Sequence, residues 1–315
     1  MGAAGGRPGT GDHNRPPRPH AMRRYGQNHL VDKNILHAIV DQAAVGPDDV
    51  VLEVGAAGGL LTRPLLERAR LVHAFEIDRR WLPRLEELSV ADPRLVLHAG
   101  DALKADLAAL DPPPTALVAN LAYNIAIPLI MTTIAGLPSV RRWAVMVQRE
   151  LGERLFAVPS TKAYAAVSVQ TQLACRIDKV RPVPASAFRP QPRVESSFIS
   201  FVRRDAAPEA AVAGEAAGGG EAVRRGSDAD TAPGPEEYAA VSRLVRLAFG
   251  QRRKTLVNSL SGAAHAGGSL SRDDVRETLR ALALSDAARP EELTPALWRT
   301  FAAELGRRAA AGPAA

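Results

Sequence analysis

Five short apolar runs alternate with stretches of helical pattern between residues 34 and 147, and this alternation constrains the fold more than any other feature of the chain. The apolar runs predict buried strands at 50–54, 71–75, 95–97, 116–119 and 143–147. The helical stretches lie at 34–44, 61–69, 80–88 and 126–134. Strands separated by helices favour a parallel sheet with helices on both of its faces. The sequence therefore predicts an α/β fold for this part of the chain.

A second unit follows. At roughly 150 residues per domain, the 315 residues suggest two domains. Apolar residues recur at helical spacing after residue 240, which predicts an all-helical segment. We therefore expect five parts: a disordered basic arm 1–23, the α/β domain 24–204, a disordered acidic linker 205–235, a helical domain 236–307 and a tail 308–315.

The charge is unevenly distributed. The formal net charge is +6, with +4 in residues 1–24 and −6 in residues 205–237, which leaves +8 for the rest. A positive folded body favours a polyanionic partner such as nucleic acid, although a solvated charged surface remains the alternative. Cys175 is the only cysteine, which excludes an internal disulfide and favours a reducing cytoplasm. The uncharged stretch 112–140 is interrupted by asparagines and prolines, so we expect a soluble chain without a membrane span.

The first predicted strand runs into a glycine-rich turn, Glu53-Val-Gly55-Ala-Ala57-Gly-Gly59. Such a turn lets the backbone approach a ligand at the carboxyl end of a sheet. Glu76 follows the second strand, where it could accept hydrogen bonds from ribose hydroxyls, and Asp101 follows the third, where it could meet an adenine amino group. An acid two residues before the first glycine suits a cationic ligand, which favours S-adenosylmethionine over NAD. An ordinary glycine-rich turn is the alternative.

The fourth predicted strand leads into Asn120-Leu121-Ala122-Tyr123. The amide oxygen of Asn120 and the carbonyl of Leu121 could accept the two hydrogens of an adenine amine and so free its lone pair for attack. Tyr123 could stack on the base. This chemistry requires no metal, and the seven histidines show no ligand spacing. For this loop alone, a capping asparagine and a core tyrosine would be the commoner explanation.

A family resemblance joins these motifs. It is carried by Tyr25-Gly-Gln27-Asn28-His29-Leu30, the turn 53–59, the loop 120–125, Val147-Gln-Arg-Glu150, Glu153-Arg154, the segment 186–194 and Phe249-Gly-Gln-Arg-Arg-Lys254-Thr. In this order they resemble the bacterial KsgA family of ribosomal RNA adenine N6-dimethyltransferases. The resemblance covers about residues 24–204 and 236–305.

The resemblance implies a Rossmann-like methyltransferase sheet, S-adenosylmethionine as cofactor and two adjacent adenines in the 3′-terminal hairpin of 16S rRNA as substrate. It assigns cofactor contacts to Gln27, Asn28, Leu30, Gly55, Glu76, Asp101 and Asn120. It places the flipped adenine between Tyr123 and Phe188, beside the catalytic Asn120 and Leu121. The partner would be the small ribosomal subunit or its precursor in the cytoplasm, with a monomer as the default state.

An acid-free stretch from Tyr238 to Arg272 is the predicted RNA-binding region. Its arginines and lysine are Arg243, Arg246, Arg252, Arg253, Lys254 and Arg272, of which the first five are the predicted RNA contacts. On a continuous helix, positions 243, 246, 250, 253 and 254 would share one face, suited to phosphates. A merely solvated helix face is the alternative.

Three positions depart from the family pattern. Ala57 replaces a glycine, Ala122 a proline and His29 a phenylalanine. These departures could lower the rate, and they leave two other hypotheses open. One is a resistance methyltransferase of 23S rRNA, which the basic segment disfavours. The other is a ribosome-assembly factor with little catalytic activity.

Overall fold

The computed structural model describes residues 28–204, 232–251, 253–265 and 268–311. The predicted arm 1–23, residues 205–231 of the predicted linker, Gln27 and Arg252 lie outside the described residues. So do residues 312–315 of the predicted tail, whereas its first residues continue the last helix to Ala311.

The part before residue 205 alternates strands and helices as predicted. Its helices are α1 Lys33–Ala43, α2 Thr62–Leu66, α3 Leu82–Ala91, α4 Tyr123–Gly136, α5 Arg149–Leu155 and α6 Ala166–Ala174. Its strands are β1 His29–Leu30, β2 Val50–Val54, β3 Leu71–Glu76, β4 Leu95–Ala99, β5 Ala116–Asn120, β6 Arg142–Gln148, β7 Cys175–Val183, β8 Phe188–Arg189 and β9 Ser196–Arg203. Each of the five predicted strands is present, extended by one or two residues at most.

Seven strands form one sheet in the order β4-β3-β2-β5-β6-β9-β7. Strands β2 to β6 are parallel to one another. Every residue of β2 is buried, as expected for a parallel strand covered on both faces. Because these strands run in one direction, their carboxyl ends form a single edge of the sheet, which we call the active edge.

Two strands of the sheet, β7 and β9, were not predicted from the sequence. Their antiparallel pairing makes the sheet mixed rather than parallel. Strand β9 is antiparallel to β6, and β7 is antiparallel to β9. The pattern of β7 is not apolar, because this outermost strand exposes charged side chains and a proline, which protect a sheet edge from further pairing. In β9 serines interrupt the apolar run.

Helices cover both faces of the sheet, as predicted. One face packs against α1, α2 and α3 through Ile39, Leu65 and Leu85. The other packs against α4 and α5 through Leu129, Ile130 and Leu151. The sheet is thereby shielded from water, and polar side chains gather where its strands end.

The chain after residue 231 forms α7 Pro235–Phe249, α8 Leu256–Leu260, α9 Arg272–Ala281 and α10 Pro295–Ala311. Between α8 and α9 lies a short hairpin, β10 Ala264–His265 and β11 Gly268–Ser269, so the prediction of an all-helical segment was wrong at this point. The helix predicted through residue 254 ends at Phe249.

These C-terminal helices share an apolar cluster with the α/β part. Val169 and Leu173 of α6 belong to the same buried cluster as Leu244, Trp298 and Phe301. The Tyr164 hydroxyl donates to the carbonyl of Leu293 across this contact at 2.8 Å. Burial raises the pKa of Tyr164 above its ordinary value, which keeps the hydroxyl protonated as a donor.

None of the helices within the described ranges combines the length and the apolar character needed to cross a membrane.

Candidate active site

A cavity opens at the active edge, where β2, β3, β5 and β6 end. Most of the residues predicted for cofactor and base line this one cavity: Asn28, Gly55, Glu76, Asp101, Asn120, Leu121, Tyr123 and Phe188. Leu30 lines a smaller cavity beside it, which also contains Gly55 and Asn120 in its wall. The predicted contact of Gln27 falls outside the described residues.

The glycine-rich turn is held against β3 by backbone hydrogen bonds. Gly55 has φ +83°, and its N–H donates to the carbonyl of Phe75 at 2.9 Å. Ala57 has φ +47°, the left-handed conformation that costs an alanine about 1 kcal/mol or more. Its N–H donates to Glu76 Oε2 at 2.8 Å, which stabilises the strained turn. The departure at position 57 therefore keeps the conformation that a glycine would favour.

Glu76 is buried at the end of β3, with each carboxylate oxygen accepting one backbone hydrogen bond. Ala57 N–H donates to Oε2, and Asp78 N–H donates to Oε1 at 2.7 Å. Burial raises the pKa of Glu76, and these hydrogen bonds oppose the rise. Because each carboxylate oxygen can accept a second bond, Glu76 fits the pair of ribose hydroxyls of a nucleoside cofactor.

The neighbouring wall suits a flat base. Asp101 Oδ1 accepts from Leu103 N–H at 3.0 Å, which fixes the carboxylate at the rim of the cavity. Ile77 and Leu103 line the same cavity with exposed apolar side chains. An acceptor and two apolar side chains in one cavity wall match an adenine ring and its amino group. The residues present therefore fit S-adenosylmethionine.

Glu53 lies deeper, in the wall of the smaller cavity. It is 1% exposed, and within the described part of the chain its Oε2 has no hydrogen-bond partner. Burial raises the pKa of Glu53 to about 8; the Thr62 hydroxyl opposes this rise and the charge of Glu76 adds to it. Near neutral pH this carboxyl is therefore largely protonated in the cofactor-free protein.

Asn120 ends β5 with its side chain held in one orientation. Its Nδ2 donates to the carbonyl of Asn28 at 3.0 Å, so Oδ1 is the amide atom left to accept from a ligand. The N–H of the next residue, Leu121, donates to the carbonyl of Met146 at 3.0 Å and extends the pairing with β6. Asn120 therefore presents one oriented acceptor to the cavity, and the backbone of Leu121 lines the cavity next to it.

The two aromatic residues predicted to hold the base differ in exposure. Tyr123 begins α4 and is 62% exposed, which leaves its ring open to a stacking partner. Phe188 lines the cavity but is only 1% exposed, because it also packs into the sheet core. Tyr123 is therefore the ring that a base can reach from solvent.

Restoring the family's proline is expected to improve this loop. Ala122 has φ −64° and ψ 145°, which are dihedral angles that proline adopts without strain. Within the described residues its N–H donates no hydrogen bond. We expect Ala122→Pro to raise the free energy of unfolding by about 0.5 kcal/mol and to raise kcat. Thermal unfolding and single-turnover rates test this, and a loss of both stability and rate would contradict it.

Four further residues line the cavity without a predicted role; three belong to motifs of the resemblance, and Ser196 lies outside them. They are Gln148 at the end of β6, together with Pro192, Val194 and Ser196. A signal was present for Gln148, since it directly follows the fifth predicted strand as Asn120 follows the fourth. Side chains at the carboxyl ends of adjacent parallel strands are brought together by the sheet.

The predicted RNA-binding residues are not on one helical face. Arg243 and Arg246 are exposed on α7, opposite the buried Leu244 and Val245. Because α7 ends at Phe249, the prediction that 250, 253 and 254 continue this face was wrong. Arg253 and Lys254 are exposed in the following turn, and Arg252 lies outside the described residues.

The basic turn after α7 lies towards the active edge. Tyr238, near the start of α7, packs beside Cys175, which begins β7 at the opposite edge of the sheet. Phe249, at the end of α7, contacts Tyr164, which precedes α6. Helix α7 therefore runs antiparallel to α6, and its end points to the edge that carries the cavity.

The basic residues on α7 and in the turn after it are not neutralised by carboxylates among the described residues. Arg243, Arg246, Arg253 and Lys254 form no ion pair with a carboxylate among the residues that the structure describes. On α9 and α10, by contrast, Arg276, Arg280, Arg299 and Arg308 each pair with a carboxylate. Positive charge is thus concentrated at the end of α7, where it is available to an anionic partner.

Within the described ranges, no group of three histidine, cysteine, aspartate or glutamate side chains could hold a metal ion.

Comparisons with known proteins agree with this geometry. Residues 19–213 match the family described as Ribosomal RNA adenine dimethylase. The chain is 38% identical over 281 residues to Ribosomal RNA small subunit methyltransferase A of Rubrobacter xylanophilus, covering 89% of this chain and 93% of that protein. It is 39% identical to the protein of the same name from Kineococcus radiotolerans, covering 92% of this chain and 88% of that protein.

Solved structures show the same fold. A dimethyladenosine transferase from Plasmodium falciparum superposes with a TM-score of 0.68 at 22% identity, covering 88% of this chain and 97% of that one. The 23S rRNA methyltransferase ErmE superposes with a TM-score of 0.59 at 23% identity, covering 89% of this chain and all of that one. These likenesses confirm the predicted Rossmann-like fold with C-terminal helices.

Proposed function

The chain belongs to the ribosomal RNA adenine dimethylase family, and we propose that it methylates N6 of two adjacent adenines in the 3′-terminal hairpin of 16S rRNA. Family membership confirms the predicted resemblance, the enzyme class and S-adenosylmethionine as the cofactor. The observation that carries the proposal is the oriented acceptor Asn120 Oδ1, which lies in the cavity that Leu121, Glu76 and Asp101 also line.

S-adenosylmethionine, when bound, supplies an electrophilic methyl group. The adenine amine is a weak nucleophile because its lone pair is delocalised into the ring. Asn120 Oδ1 and the Leu121 carbonyl accept its two hydrogens and favour a tetrahedral nitrogen whose lone pair can attack. Tyr123 stacks on the base and orients the nitrogen towards the cofactor side of the cavity. In each round the new nitrogen–methyl bond would form as the sulfur–methyl bond breaks, which leaves the cofactor as a thioether, and the amine loses one proton to water. Two rounds produce the dimethylated base.

The small-subunit target is supported by the curated relatives. Three of them, which are 37–39% identical to this chain, share the name Ribosomal RNA small subunit methyltransferase A and cover most of its length. The likeness to ErmE is one of fold alone, so a 23S target has weaker support. The uncompensated basic residues at the end of α7 support contact with RNA phosphates. We infer action in the cytoplasm, on the small subunit or its precursor, by a monomer.

A direct test offers the protein S-adenosylmethionine with either undermethylated small subunits or deproteinised large-subunit RNA. Mass spectrometry then maps dimethyladenosine in the products. We expect two adjacent dimethyladenosines near the 3′ end of 16S rRNA. Modification of the 23S RNA alone would support the resistance methyltransferase. Cofactor binding without transfer to either RNA would support the assembly factor.

The basic turn gives a second prediction, concerning RNA affinity. We expect Arg253→Ala combined with Lys254→Ala to weaken binding to the small subunit about tenfold and to lower the slope of log affinity against log salt by about 1 to 2. S-adenosylmethionine affinity should not change. The matched control is Arg276→Ala with Arg280→Ala, which removes two arginines already paired with carboxylates on α9. Equal losses in both double variants would contradict a specific role for this turn.

A further inference from the structure

We propose that Gln148 recognises the target adenine, with its side-chain amide donating a hydrogen bond to N1 or N7 of the ring. This inference rests on the proposed function, because it concerns the base in the same cavity. Gln148 lies in the wall of the cavity that the end of β6 forms, and this wall would determine which base is accepted.

The sheet places Gln148 close to the acceptors. Strand β6 lies directly beside β5, and Asn120 is in register with Met146. Gln148 is two residues further along β6 and therefore lies at the same edge of the sheet. Its backbone is fixed on the other side by pairing with Ser196 of β9, and the N–H of Arg149 donates to the carbonyl of Glu195 at 2.9 Å. The amide is thus carried by a rigid element of the fold.

The amide of Gln148 is half-buried and has no protein partner within the described ranges. The two hydrogens of this amide are therefore available to a ligand atom in the cavity. The other polar side chains of the same wall are less suited. Asn124 is exposed at the rim, and Ser196 carries a single hydroxyl on a short side chain.

The hydrogen-bonding pattern of adenine requires a donor in this position. Asn120 Oδ1 and the Leu121 carbonyl can only accept hydrogen bonds, so they recognise the amine and cannot bond to the ring nitrogens N1 and N7, which are also acceptors. An amide NH₂ can donate to either nitrogen, as glutamine and asparagine do in adenine recognition. A guanine would present O6 to the two acceptors, and its N1 carries a hydrogen. The three groups together therefore select adenine over guanine.

Single-atom changes in the substrate test this role. Small subunits are reconstituted with 16S rRNA carrying adenosine, 1-deaza-, 3-deaza- or 7-deazaadenosine at the first methylated position. All four bases keep the reacting amine. For the wild-type protein, we expect kcat/KM to fall about tenfold on either the 1-deaza or the 7-deaza substrate. The 3-deaza base is the matched control, since N3 is remote from the amine.

The variant Gln148→Leu should lose activity on adenosine and show no further loss on the deaza substrate that affects the wild type. Gln148→Glu, which replaces the donor by an acceptor, should be at least as impaired as Gln148→Leu. Melting temperature and S-adenosylmethionine affinity should stay at wild-type values in both variants. Gln148→Met repeats the measurement with an unbranched side chain if the leucine variant is unstable.

Two results would overturn the assignment. One is a wild-type protein that is indifferent to both the 1-deaza and the 7-deaza base. The other is an unchanged deaza penalty in Gln148→Leu, which would assign recognition to backbone N–H groups at the start of α4. Failure of the wild-type protein on unmodified adenosine is a separate outcome. It overturns the proposed function and with it the role of Gln148.

Discussion

Asn120→Ala is expected to lower kcat for methyl transfer by at least about a hundredfold, since it removes a fixed acceptor that acts on the developing charge of the amine. The structure adds a reason for a large effect. Asn120 Nδ2 is held by the carbonyl of Asn28, so Oδ1 is already oriented before the base arrives. Single-turnover rates at saturating S-adenosylmethionine give the rate constant of methyl transfer directly, separate from product release, and affinity for the small subunit should remain at the wild-type value.

The control for this variant is Asn124→Ala, which removes the exposed asparagine that directly follows Tyr123 in the first turn of α4. We expect a change in rate of less than about threefold, because an exposed side chain on this turn is solvated rather than aimed at the amine. Full activity in Asn120→Ala would refute activation of the amine by this residue. Equal losses in the two variants would indicate a general disturbance of the loop.

The second large effect concerns stability and pH. The pKa of Glu53 in the folded protein is about 8, against a usual value of 4.5. The folded state therefore binds this proton more tightly than the unfolded chain does. The contribution of this proton to the free energy of unfolding is fully present below pH 4.5 and is lost progressively as the pH rises towards 8. A shift of this size corresponds to roughly 5 kcal/mol of unfolding free energy, as an upper bound for one carboxyl.

Glu53→Gln should remove most of this pH dependence, because the amide has the shape of the protonated carboxyl and does not ionise. Urea unfolding of the cofactor-free protein between pH 5 and pH 8.5 measures it. We expect the variant to gain stability relative to the wild type steadily across this range. The exposed Glu86→Gln on α3 serves as the control and should follow the wild-type curve. Parallel curves for Glu53→Gln and the wild type would contradict the prediction.

The sequence predicts the centre of the sheet because central parallel strands are buried on both faces and so appear as continuous apolar runs. Edge strand β7 gives no such signal, since its charged residues and proline resemble a loop. The end of α7 was misplaced for a local reason. Basic residues continue at helical spacing past Gly250, whereas the side chain of Thr255 caps a new helix, and threonine is a typical N-cap residue.

Much of the candidate site was predictable, because polar residues that follow successive parallel strands must meet at one edge. That rule brings Glu76, Asp101 and Asn120 to one cavity, and it applies equally to Gln148. The isolation of Glu53 was not predictable. It depends on which side chains close over the carboxylate, and three-dimensional packing decides this rather than the order of residues along the chain.

The apolar cluster shared by α6 and the C-terminal helices has a consequence for target choice. Because Leu173 and Trp298 belong to one packed core, the basic turn at Arg253 and Lys254 is held at a set distance from the cavity. With the proposed contacts, an RNA helix resting on that turn can present only nucleotides that lie one particular span away. The fixed distance between the basic turn and the cavity would thus restrict which adenines of the RNA can enter the cavity, in addition to the hydrogen bonds that recognise the base.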